Sequence, residues 1–105
     1  MAETYKTLAQ ETVDNSNDTI YTAPSNTTTI IRSMRAVNTT GTAATLKLFH
    51  GGTATANIIL PFVTIEASGW AEFDGTIIME ATDTLVGISS VDEAINLTVY
   101  GLELT

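Results

Sequence analysis

The chain contains no cysteine, which excludes disulfides, thiolate metal sites and a cysteine nucleophile. Folding in a reducing compartment suits such a chain. Positive charge is almost as scarce. The only cations are Lys6, Arg32, Arg35 and Lys47, against twelve acidic residues, for a net charge of -8. No basic patch can be assembled from so few, so neither nucleic acid nor an anionic membrane surface is an expected partner. The acidity itself fits simple solubility or a basic partner. Proline occurs twice and histidine once. The longest apolar run, Ile58 to Val63, contains Pro61 and is far too short to span a bilayer. The opening MAETYKTLAQ has no basic region followed by an apolar one, so no signal peptide is expected.

What is present is threonine, close to a fifth of 105 residues. Threonine is β-branched and suits a pleated strand. It also gives a polar face with little side-chain entropy to lose on contact. The length fits one domain spanning residues 1–105. Folded, such a chain should expose roughly 5,700 Å². Helical spacing is absent, and period-two alternation recurs between turn residues. Strands are expected over Thr4–Glu11, Thr19–Ala23, Thr27–Val37, Ala44–His50, Ile58–Ile65, Trp70–Asp74, Thr76–Glu80 and Thr84–Ile88, with a last one carrying Ile95, Leu97 and Val99 on one face. Strict alternation divides Thr27–Val37 into Ile31, Ser33, Arg35, Val37 and Ile30, Arg32, Met34, Ala36. Asn38–Thr42 reads as a hairpin-type loop, and Pro61 marks a bulge or an edge. About eight short strands at roughly ten-residue spacing imply an all-β, antiparallel β-sandwich, jelly-roll-like.

Catalytic and ligand motifs are weak. His50 has no G-x-S-x-G serine to activate and reads as a strand-end residue. Glu72 and Asp74 share one face of a strand, but such spacing arises easily among twelve acids, and a solvated face is the better reading. Asp14–Asp18 imitates the start of a calcium loop, yet Thr19 and Ser25 replace its Gly and closing Glu. It reads as a polar turn. Gly51-Gly52 lacks a phosphate-binding motif. Tyr5, Tyr21, Phe49, Trp70 and Tyr100 suit a core or protein interface better than a sugar platform. No enzyme, cofactor or metal is therefore expected.

Several segments resemble small bacteriophage virion proteins: Tyr5-Lys-Thr-Leu-Ala-Gln10, Ile20-Tyr-Thr-Ala-Pro24, Val37-Asn38 before a Thr/Gly loop, Met79-Glu-Ala-Thr-Asp-Thr-Leu85 and Ile95 to Leu104. Thr82 departs from that pattern, which has Gly before the Asp. The resemblance implies a capsid decoration (cement) protein of a tailed phage. It would be made in the host cytoplasm, sit on the capsid surface and bind the major capsid protein and itself as a homotrimer. A carbohydrate- or receptor-binding module of a tail or baseplate is the alternative. Termini and interrupted strands often form contacts between subunits, so Tyr5, Leu8, Pro61, Phe62 and Trp70 are the expected interface residues.

Overall fold

The structure is a computed structural model and describes residues 3–105, the side chains at 3, 4 and 62 excepted. Eight strands follow one another: β1 Glu3–Thr12, β2 Asp18–Thr22, β3 Thr28–Asn38, β4 Ala44–His50, β5 Ile58–Ile65, β6 Trp70–Met79, β7 Thr84–Ser89 and β8 Ile95–Leu104. They form two four-stranded sheets, ordered β1-β8-β3-β6 and β2-β7-β4-β5. Every pairing is antiparallel. Two sheets interleaved in this way make a jelly roll, as expected from the strand pattern. The accessible surface is 5459 Å², close to the value anticipated from mass.

The core lies between the sheets. Ile95, Leu97 and Val99 from β8 meet Leu46 and Leu48 from β4 and Leu85 from β7, all fully buried. Each such side chain stabilises the fold by about 2 kcal/mol relative to exposure. The alternation read from the last strand holds, since Asn96, Thr98 and Tyr100 stay partly or wholly exposed.

Strict alternation fails on β3. Thr29 and Ile31 face inward, but so do Met34, Ala36 and Asn38. The register explains the switch: Ile31 faces Gly101 and Ser33 faces Tyr100, so Arg32 is one extra residue. This bulge lets both Arg32 and Arg35 remain outside. The gap expected at Gly75 is also a bulge, not a strand end. Opposite Arg32, β6 inserts two residues, Gly75 and Thr76, and runs on unbroken to Met79. On β1 the extra residue is Leu8. The three irregularities line up across one sheet, where bulges bend strands and increase twist.

At that line β8 passes so close to β3 that only glycine fits. A Cβ on Gly101 would stand 2.1 Å from the Ile30 carbonyl oxygen and 2.9 Å from Leu8 Cδ1.

Asn38–Thr42 is not a hairpin. β3 and β4 belong to different sheets, so the chain crosses the sandwich there. The crossing is organised by Asn38, whose buried amide donates to the Thr42 and Ile65 carbonyls while its oxygen accepts from the Thr40 N–H. Pro61 lies on an edge strand, and β5 carries extra residues there, since Leu46 and Leu48 face Val63 and Leu60. That agrees with a proline that cannot donate to a ladder.

Two substitutions test this geometry. Gly101→Ala should destabilise the protein by about 3 kcal/mol, because backbone must move to admit one methyl group. An unchanged denaturant midpoint would contradict the close approach. Thr82 adopts φ 69° in the turn before β7, so Thr82→Gly should raise stability by about 1 kcal/mol. Calorimetric melting reads the sign directly.

Candidate interaction surface

The outer face of β1-β8-β3-β6 carries most of the exposed large apolar side chains. Tyr5 is 72% exposed, Trp70 61%, Ile78 57% and Tyr100 41%. The strand register arranges this face in rows. Tyr5 stands opposite Leu102, Leu102 opposite Ile30, and Ile30 opposite Ile78, which gives an apolar row across all four strands. The next row pairs Thr7 with Tyr100, Tyr100 with Ser33, and Ser33 with Asp74. Beyond it lie Gln10, Thr98, Arg35 and Glu72, then Thr12, Asn96, Val37 and Trp70. The Gln10 amide donates to the Thr98 hydroxyl, and Thr12 to Asn96. The last two rows are neutral apart from the ion pair of Arg35 with Glu72, at 2.8 Å.

The bulges shape the middle of the face. A shallow groove of about 790 Å³ follows them, bordered by Tyr5, Tyr100, Arg32 and Asp74. A bulged residue is re-aimed, and here Arg32 is delivered to the groove. Among the described residues no ion pair joins Arg32 to Asp74.

A polar clasp lies behind the Tyr5 end of the face. The Tyr21 hydroxyl reaches across from the other sheet, donates to Glu103 and sits 2.8 Å from the Thr29 hydroxyl. Lys6 pairs with Glu103 at 2.7 Å. The Lys6 ammonium and the Tyr21 hydroxyl hold the Glu103 carboxyl below its usual range. Burial, then the neighbouring carboxylate, pushes the Tyr21 phenol up to about 12.

Of the expected interface residues, Tyr5 and Trp70 lie on this face. Arg35 stands over the Trp70 ring, 4.8 Å from its centre. Leu8 is half-buried at the β1 bulge and packs against the core. Pro61 is exposed on the edge of the other sheet, and the Phe62 side chain lies outside the described residues. Of the five aromatics read as core or interface, Phe49 is buried and Tyr21 is held in the clasp, so they form no single platform. Ile78, half-buried Ile30 and Arg32 complete the surface, with buried Leu102 beneath it, and were not foreseen. Their common face depends on the bulge registers, which no local pattern announces. Tyr100 could have been added from the alternation of β8 alone.

The other motifs have structural surroundings. His50 Nε2 lies 3.2 Å from Asp83, whose carboxylate also accepts the Glu80 N–H and so fixes the turn before β7. In the 14–18 loop, Asp18 accepts the Asp14 N–H, and Asp92 accepts that of Asn15. Among the described residues no three His, Asp or Glu side chains are grouped to hold a metal ion. Glu11 sits opposite buried Leu97 on β1, and one of its carboxyl oxygens is buried with no hydrogen-bond partner. Burial first, then the Asp18 and Asp14 carboxylates, raise its pKa.

No protein-family model and no curated protein sequence matches the chain. Solved structures do match. One is a chain of the Bacillus endospore appendages, a family of disulfide-linked pili. It is 17% identical over 99% of this chain and 87% of that one, with a TM-score of 0.61. Another belongs to the acid-stable capsid of Helicobacter pylori bacteriophage KHP30, at 9% identity over 99% and 92%, with a TM-score of 0.57. A third comes from the virus-like particle of extra small virus of the giant freshwater prawn Macrobrachium rosenbergii, at 16% identity over 98% and 79%, with a TM-score of 0.53. At such identities the likeness is one of fold.

Glu11 supplies a test with a defined sign. A carboxyl whose folded pKa is raised stabilises fully below its unfolded pKa, and that contribution is lost as pH rises through the folded value. Glu11→Gln should therefore be more stable than the parent at pH 7, and the difference should shrink as pH falls toward 4. Urea midpoints across that range measure it, and a difference independent of pH would contradict the assignment.

Proposed function

We propose that the chain is a bacteriophage virion structural protein, a decoration (cement) protein that binds the major capsid protein on the outside of the shell as a homo-oligomer. The observation that carries this reading is the uncovered outer sheet. Its apolar row has exposed Tyr5 and Ile78 at its ends, with half-buried Ile30 and buried Leu102 between them, and exposed Tyr100 beside it, on a rigid jelly roll, the kind of patch that marks protein contact. The fold shared with chains of a phage capsid and a virus-like particle supports it, as does the sequence resemblance to small virion proteins. The neutral Thr, Asn and Gln rows lose little side-chain entropy when covered. Many copies on one shell would add weak contacts through multivalency. The role needs no catalysis and no cofactor.

The alternative, a carbohydrate-binding module, would rely on open aromatic faces. Arg35 already covers one face of Trp70, which leaves less stacking surface for a pyranose. In purified phage particles the chain should appear at a copy number comparable to the major capsid protein. Added to shells lacking it, the purified protein should co-sediment with them and raise their disruption temperature. Its absence from particles, or glycan binding lost in Trp70→Ala, would overturn the reading.

A further inference from the structure

We propose that two copies of this chain pack outer sheet to outer sheet about a two-fold axis, with Arg32 of each on Asp74 of the other. This rests on the reading of the chain as a self-associating structural protein, and it names the surface and the contact.

Charge selects the surface. Among its described side chains, the outer face of β1-β8-β3-β6 carries two cations, Arg32 and Arg35, and two carboxylates, Glu72 and Asp74, while Lys6, which also lines the groove, is paired with Glu103. The chain's other two cations, Lys6 and Lys47, stand against ten other acidic residues. Two molecules of net charge -8 that meet elsewhere bring like charges together, which costs several kcal/mol at an interface. This face is balanced.

Pairing selects the contact. Arg35 and Glu72 already satisfy each other within one chain. Arg32 and Asp74 border the same groove without such a bond. In an isologous contact one patch meets its own copy, so a cation and an anion on that patch pair twice across the axis. Guanidinium and carboxylate suit this because their hydrogen bonds form in parallel pairs. Exposed Tyr5, Ile78 and Tyr100 supply the apolar part. Four strands about 4.8 Å apart and about 30 Å long offer roughly 570 Å² on each copy, or about 1,100 Å² in all, just above the roughly 1,000 Å² that a specific interface should clear.

The test is charge exchange at two exposed positions, read by sedimentation velocity on the full chain. The parent should form dimers. Arg32→Asp and Asp74→Arg should each weaken dimerisation by about tenfold or more. The double exchange should restore it, and so should an equimolar mixture of the two single variants, since each then supplies what the other lacks. The contact is overturned by a monomeric parent, by a trimer indifferent to both exchanges, or by a mixture that stays monomeric while the double variant assembles. Pelleting the same variants with capsids separates the two proposals. Monomers that still bind shells sink this contact and leave the decoration role standing. Dimers that do not bind shells do the reverse.

Discussion

At Gly101 two backbones pass closer than a methyl group allows, and much of the molecule's outer architecture follows from that approach. β8 lies between β1 and β3, so bringing it against the Ile30 carbonyl fixes both neighbours. Each neighbour accommodates the bend with an extra residue, Leu8 on one side and Arg32 on the other. β6 answers with Gly75 and Thr76. Beyond the bend the inward and outward sets of β3 exchange. That exchange keeps Arg35 out of the core, where an unpaired guanidinium would cost several kcal/mol, and the bulge itself leaves Arg32 outside. The same shift assembles the apolar row and sets the arginine beside it.

The two ends of this sheet are finished by different chemistry. Near Tyr5 a lysine, a glutamate, a tyrosine and a threonine link both sheets through charge-assisted hydrogen bonds. Near Glu11 one carboxyl oxygen is buried without a partner, close to the carboxylates of Asp18 and Asp14. Inward-pointing charge on an edge strand is a known way to discourage pairing with a stray strand. Both ends lie behind the face proposed for contact.

Much of the fold could be read from local pattern. β4 and β5 have the bounds that alternation and turn residues imply, and the others differ by a residue or so. The exceptions share a cause. A bulge changes the phase of alternation, and nothing in Arg32-Ser33 or Gly75-Thr76 says where the phase slips. The crossing at Asn38 misleads for a related reason, because a polar Thr/Gly loop looks alike whether it joins neighbours or passes between sheets. Tyr5 and Trp70 were legible as exposed aromatics. The row from Leu102 to Ile78 was not, since its members come from three strands and meet only through long-range register.

The position of β8 also bears on how the chain reaches this state. Among the described residues β1 has β8 as its only ladder partner, and about eighty residues separate them. During synthesis the first strand must wait for the last, with its edge unpaired and the apolar side of β3 half covered. Closing so long a loop delays the contacts that reward it. A chain that waits in this way is open to capture by its neighbours. The polar, threonine-rich composition of β1 keeps it soluble through the interval, and the sheet proposed to meet other molecules is the last part to be completed.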